Sequence, residues 1–142
     1  MEDPTADMGG VRGTRGNPWR LKAPGGGSEF LAFRDPALDP PAIVVRFGGT
    51  ELRYHLRCLN DLDEMLKAHG DWMPLGIAEE KQPAAAGTVE AWARSPENPV
   101  KGWYGLTKGL RGRFAMYIPP VMKALNLAEI DEGPRGGRMR SA

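Results

Sequence analysis

The chain has 142 residues, a formal net charge of +1 and 41% apolar residues, while 19 glycines and 13 prolines make those two types about twice as frequent as usual. That is one domain's worth of chain; its glycine and proline content falls just short of the enrichment that marks low-complexity disorder, and a disulfide framework (Cys58 is the single cysteine) and a membrane-spanning apolar run are excluded. A start carrying Glu2, Asp3 and Asp7 and then four glycines does not fit a secretory leader, so a cytoplasmic location is expected.

Residues 1–16 hold four glycines and no aromatic residue, too little apolar surface to offset ordering entropy, and read as a disordered tail. A single domain is expected over residues 17–142. Trp19 and Leu21 are its first docking residues, and Pro24-Gly25-Gly26-Gly27 is a loop behind them. A strand is predicted over Phe30 to Arg34, followed by a proline-rich turn at Asp35 to Pro41. Ile43, Val45 and Phe47 then alternate with Val44 and Arg46, and after Gly48-Gly49 the residues Leu52, Tyr54 and Leu56 alternate with Glu51, Arg53 and His55. This is a hairpin with a two-residue turn, which pairs Phe47 with Thr50, Arg46 with Glu51, Val45 with Leu52 and Ile43 with Tyr54. Apolar meets apolar on one face and Arg46 meets Glu51 on the other, so the register is self-consistent. The three strands make an antiparallel meander.

Leu59, Leu62, Met65 and Leu66 switch to helical spacing, with Asp61 and Glu64 in capping-box positions, Lys67 and His69 in the last turn and Gly70 beyond. A second helix is predicted from Thr88 as its N-cap, with Val89, Trp92 and Ala93 on one face and an end before Pro96. Between them Asp71 to Gly87 is a long loop whose Trp72, Met73, Pro74 and Leu75 are expected to pack on the core. Leu110 to Ile118 fits both helix and strand. Pro119-Pro120 suits the first turn of a new helix, with Val121, Met122 and Leu125 as its apolar stripe and Asn126 as a left-handed stop. Leu127 to Ile130 and Arg138 to Arg140, around a glycine-rich tip, read as a short hairpin. The fold class is α+β: a three-stranded meander, short helices, then a C-terminal helix and hairpin that resemble the second half of a winged helix.

Charge is unevenly placed. Residues 1–22 carry 4 basic and 3 acidic groups, residues 23–100 carry 7 and 12, and residues 101–142 carry 8 and 3. The eight basic residues of the last segment are Lys101, Lys108, Arg111, Arg113, Lys123, Arg135, Arg138 and Arg140, and Trp103, Tyr104, Phe114 and Tyr117 lie among them. Cations interleaved with aromatics are what phosphate attraction and base stacking require. Nucleic acid is therefore the partner expected of this segment, with the bland reading that the basic end neutralises the acidic middle. A protein-interaction module, including a homodimer built on exposed Trp72, Trp103 and Tyr104, is the alternative.

Other chemistry is poorly supported. Gly102, Gly105, Gly109 and Gly112 match neither phosphate-loop nor dinucleotide spacing and read as a turn-rich connector. His55, His69 and Cys58 have no metal-ligand spacing, so no metal and no cofactor is expected. Cys58 reads as a small buried thiol. Asp61, Asp63 and Glu64 read as helix N-terminal acids and Glu79-Glu80 as loop solvation, so no catalytic residue is assigned; a pocket gathering Asp61, His55 or Arg113 would reopen the question.

The stretch Gly87-Thr88-Val89-Glu90-Ala91-Trp92, then Arg94-Ser95-Pro96, Asn98-Pro99, Gly102-Trp103-Tyr104-Gly105-Leu106, Arg111-Gly112-Arg113-Phe114, Met116-Tyr117-Ile118-Pro119-Pro120 and Arg138-Met139-Arg140, resembles a family of small actinobacterial proteins carrying a domain of unknown function. The resemblance runs from about Trp19 to the C-terminus. It implies a self-contained bacterial domain and brings no activity and no site residues with it.

Overall fold

The computed structural model describes residues 12–133 and 137–142. The first 55 residues supply four antiparallel strands in sequential order: β1 (Trp19–Lys22), β2 (Glu29–Asp35), β3 (Ala42–Phe47) and β4 (Thr50–His55). The hairpin register is the one its side chains dictate, with Phe47 opposite Thr50, Arg46 opposite Glu51, Val45 opposite Leu52 and Ile43 opposite Tyr54. Arg46 Nε donates to Glu51 at 3.0 Å on the polar face. The meander has one strand more than the sequence suggests, because Trp19 and Leu21 do more than dock: Trp19-Arg20-Leu21-Lys22 alternates as a short edge strand and pairs with Glu29 to Ala32 around the glycine loop. Part of the expected tail is also placed. The Gly13 carbonyl accepts from the Arg34 amide at 2.8 Å, and Arg15 pairs with Asp35 and lies over the Phe33 ring. Residues 1–11 lie outside the described residues.

Helix α1 (Cys58–His69) ends as expected, with Gly70 in the left-handed region (φ 72°) and its amide bonded to the Leu66 carbonyl. Its start is different. The helix begins before Asp61, the N-cap is Arg57 with no side-chain cap, and the Asp61 carboxylate is taken by Arg57 Nε (2.7 Å) and the Tyr104 hydroxyl (2.8 Å). The long loop that follows packs down: Met73–Pro74 form the two-residue strand β5, and Leu75 is fully buried. Thr88 caps α2 (Val89–Trp92), its Oγ1 accepting from the Ala91 amide at 3.1 Å.

Helix α3 (Phe114–Ala124) resolves the ambiguity at Leu110 to Ile118 and corrects the placement of the prolines. Pro119 and Pro120 are interior to it and buried. Neither has an N–H, so the carbonyls of Ala115 and Met116 lack their usual helical donors, a loss set against two apolar rings in the core. Asn126 (φ 60°) stops the helix as expected, and β6 (Ala128–Asp131) and β7 (Arg138–Ser141) form the final hairpin. Its tip, residues 134–136, lies outside the described residues. β5, β7 and β6 form a second sheet in that order.

The core lies between the two sheets, and α3 fills it. Tyr117 packs edge-on to Phe30 (centroids 5.1 Å) and stacks on Phe47 (5.4 Å), while Phe114 meets Tyr54, Trp92 and Tyr104. Each such pair contributes about 0.5–1.5 kcal/mol beyond its buried area. Strands from the N-terminal sheet, α1, α2, α3 and the C-terminal hairpin all contribute to this single apolar cluster.

Candidate functional site

A cleft of about 390 Å³ opens beside the tip of the β3–β4 hairpin, where that hairpin faces the start of α3 and two connecting segments. Phe47 and Leu52 come from the strands, Tyr117 from the first turns of α3, and Leu110 from the connector before it. Leu110 is 50% exposed, the exposed large apolar side chain among the described residues. Glu79, Glu80, Lys81 and Arg113 supply the charge at the rim.

Local backbone geometry explains how these residues meet. The connectors pass each other so closely that a Cβ on Gly112 would lie 2.4 Å from the Glu80 amide nitrogen, and one on Gly105 would lie 2.4 Å from the Arg111 carbonyl oxygen. Gly105 and Gly112 thus serve close backbone approach, whereas Gly109, with open space around it, takes a left-handed φ of 86°. Arg113 adopts a left-handed conformation (φ 60°, ψ 24°) and its amide donates to the Ala78 carbonyl at 2.7 Å, which pins the 78–80 segment to the start of α3.

One further residue, unremarked by sequence patterning, organises the region. Glu90 on α2 is 1% exposed, and its carboxylate accepts from the Phe114 (3.3 Å) and Ala115 (3.0 Å) amides, capping α3 from another helix. Arg94 Nη2 binds the same carboxylate at 2.9 Å and also reaches the Ala78 carbonyl, while Arg94 Nη1 donates to the Gln82 carbonyl. The spacing Glu90 to Arg94, one helical turn, was the available signal. Asn98 does similar work in the next loop, donating to the Trp92 and Gly102 carbonyls and accepting from the Val100 and Gly102 amides.

The structure places the basic residues of the last segment as follows. Arg111 binds Glu80 through its amide (2.8 Å), Nε (2.8 Å) and Nη2 (3.3 Å), and this holds the Glu80 carboxyl down at about 2. Arg113 pairs with Glu79 at 3.0 Å and lies beside the Tyr117 hydroxyl. Arg138 pairs with Asp131 and Arg140 with Glu129, their cross-strand neighbours, and both guanidinium groups lie over the Trp72 ring at 4.6 and 4.3 Å. Arg94 and Arg111 lie over the Trp103 ring in the same way, at 4.4 and 4.9 Å. Lys101, Lys108 and Lys123 are exposed and have no ion-pair partner among the described residues, and Arg135 lies outside the described residues. The two arginines nearest the acidic middle are thus neutralised by it, through contacts 31 and 34 residues apart in sequence that no local pattern reveals.

The aromatic patch is not as expected. Tyr104 is fully buried, stacked on Trp92 at 5.0 Å, and Trp72 and Trp103 are half-buried beneath their arginines. Cys58 is buried, and burial pushes its thiol well up, away from nucleophilic use. Half-buried His55 is shifted down by burial and by Arg57, His69 Nε2 lies 3.1 Å from the Trp72 carbonyl, and neither His55 nor Asp61 lines the cleft that holds Arg113. Among the described residues no cluster of His, Cys, Asp and Glu could hold a metal ion, and no helix is long and apolar enough to cross a membrane. A second, more open groove of about 570 Å³ lies between α1 and α2, but Thr88, His69 and Asn98 in its lining are committed to the backbone bonds described above.

No curated protein and no solved structure matches the chain. A family model does match, over residues 11–142, which include nearly every residue described above, and the chain belongs to that family, DUF6855, a family of unknown function.

Proposed function

We propose that the protein is a non-enzymatic binding domain whose contact site is the cleft beside the β3–β4 hairpin. The observation that carries this reading is the convergence there of an apolar floor (Phe47, Leu52, Tyr117), half-exposed Leu110, and side-chain charges not all consumed by internal pairs. A concave, mostly apolar site of this volume with a few polar groups at its rim is the usual form of a ligand pocket. The test is a set of amide NMR spectra of the full chain against a library of small aromatic and aliphatic compounds, repeated with Thr50→Trp, which fills the cleft from its rim. Shifts at residues 47–50 and 109–113 in the natural sequence, absent in the variant, are expected. Resonances there that move with no library member would overturn the reading.

One observation favours nucleic acid as a second reading. The order α1, β5, α2, α3, β6, β7, with the sheet arranged β5-β7-β6, is the order of a winged helix. The chain departs from that pattern at α2, which has four residues, and at α3, which is covered by the N-terminal sheet and presents little beyond Lys123, Ala124 and half-buried Met116 to solvent. Contact would then fall to Lys101, Lys108 and Lys123 and to the hairpin arginines Arg138 and Arg140, with Arg111 and Arg113 held by Glu80 and Glu79. Fluorescence anisotropy with a generic duplex and a single strand across salt concentrations tests it. The three lysines alone predict a log–log salt slope of about −3 on the duplex, and engagement of the hairpin arginines makes it steeper. No binding at low salt, or an affinity indifferent to salt, refutes it.

A further inference from the structure

We infer that the ligand of the cleft is a carboxylate carried on a small apolar body, with Arg113 and Lys81 receiving the acid group and Phe47, Leu110 and Tyr117 receiving the body. The inference rests on the cleft being the binding site, and it follows from which of the rim charges are free to respond.

Glu80 is not free, since Arg111 holds both of its oxygens. Lys81, the next residue, is exposed and has no carboxylate partner among the described residues. Glu79 and Arg113 form a single 3.0 Å contact with side chains 53% and 44% exposed, the kind of pair worth about 1 kcal/mol or less and therefore readily exchanged. An arriving carboxylate meets two responsive cations and one carboxylate; an arriving cation meets one carboxylate already engaged by an arginine. The rim therefore favours an anion.

The placement of Arg113 points the same way. An arginine in the left-handed region costs about 1 kcal/mol or more relative to glycine, so the side chain and not the turn calls for a residue other than glycine there. Its backbone is fixed by the bond to Ala78 and its guanidinium is set beside the Tyr117 hydroxyl at the cleft wall. A planar guanidinium there suits a planar carboxylate. Tyr117 and Phe47, stacked 16° from parallel, offer flat apolar surface, and the volume is at the small end of the range for ligand sites.

The test uses three probes with the same body: 4-phenylbutyrate, its amide 4-phenylbutyramide and the amine 4-phenylbutylamine, each titrated into the full chain while amide resonances of residues 47–50 and 109–113 are followed. The carboxylate is expected to bind about tenfold more tightly than the amide, and the amine most weakly. Arg113→Gln should bring the carboxylate's affinity down to that of the amide in the same variant, and Lys81→Gln, an exposed substitution, should reduce the difference by part. Equal affinities for acid and amide would overturn the carboxylate inference and leave the cleft a binding site. Failure of all three probes to move these resonances would overturn both.

Discussion

Replacing Glu90 by alanine is expected to destabilise the protein by about 3–5 kcal/mol. The carboxylate is 1% exposed and has three partners: the Phe114 and Ala115 amides and Arg94. Losing a helix N-cap costs about 1–2 kcal/mol, and removing one member of a buried ion pair costs about 3–5 kcal/mol because the remaining charge is left uncompensated. The two contributions share one carboxylate and overlap, so the upper figure already contains most of the lower. Arg94 retains its bonds to the Ala78 and Gln82 carbonyls, which moderates the loss. For a chain of this size the change corresponds to a fall in Tm of roughly 10–20 °C. Glu90→Gln, which keeps an acceptor for one amide and removes the charge, should fall between the two. Urea denaturation followed by circular dichroism measures all three proteins. An alanine variant within 1 kcal/mol of the natural sequence would refute the argument that α3 is held from outside by this carboxylate.

Three further outcomes are expected. Asn98→Ala removes four hydrogen bonds at a site 3% exposed and strands backbone groups of residues 92, 100 and 102, so a loss of about 2–4 kcal/mol should appear in the same denaturation assay. Gly112→Ala forces a methyl group against the Glu80 amide, and because the obstacle is backbone the variant should be destabilised by at least about 1–3 kcal/mol, with the resonances of residues 79–81 displaced. Arg111 holds the Glu80 carboxyl at about 2, below its unfolded value near 4.5, so its stabilising contribution is present above pH 4.5 and is lost as pH falls from there toward 2. Arg111→Met should flatten that part of the urea-midpoint profile between pH 5 and pH 3, and an unchanged profile would contradict the assignment.

The parts of this fold legible in the sequence are those governed by neighbours along the chain. The register from Ile43 to Tyr54 follows from alternation and a two-residue turn, the Thr88 cap from a hydroxyl three residues before the amide it serves, and the stops at Gly70 and Asn126 from the left-handed region. What stayed hidden depends on distant partners. β1 is only four residues long and becomes a strand because β2 lies beside it. α3 runs through two prolines because their rings are buried, a tertiary reward that outweighs helix propensity. The basic C-terminal run was visible as charge, but which members are neutralised depends on Glu79 and Glu80 being brought across by the fold. The cleft was equally hidden, since Phe47, Lys81, Leu110 and Tyr117 come from four separate stretches of chain.

The position of α3 between the two sheets has a consequence for biogenesis. The four-stranded sheet is synthesised first, and its apolar face carries Ile43, Val45, Leu52 and Tyr54 with nothing yet made to cover them. Until residues 114–124 emerge, the nascent chain presents an open β-surface, the state in which chaperone capture or self-association competes with folding. The meander and the C-terminal half share one apolar cluster, so each leaves apolar surface exposed until the other is in place.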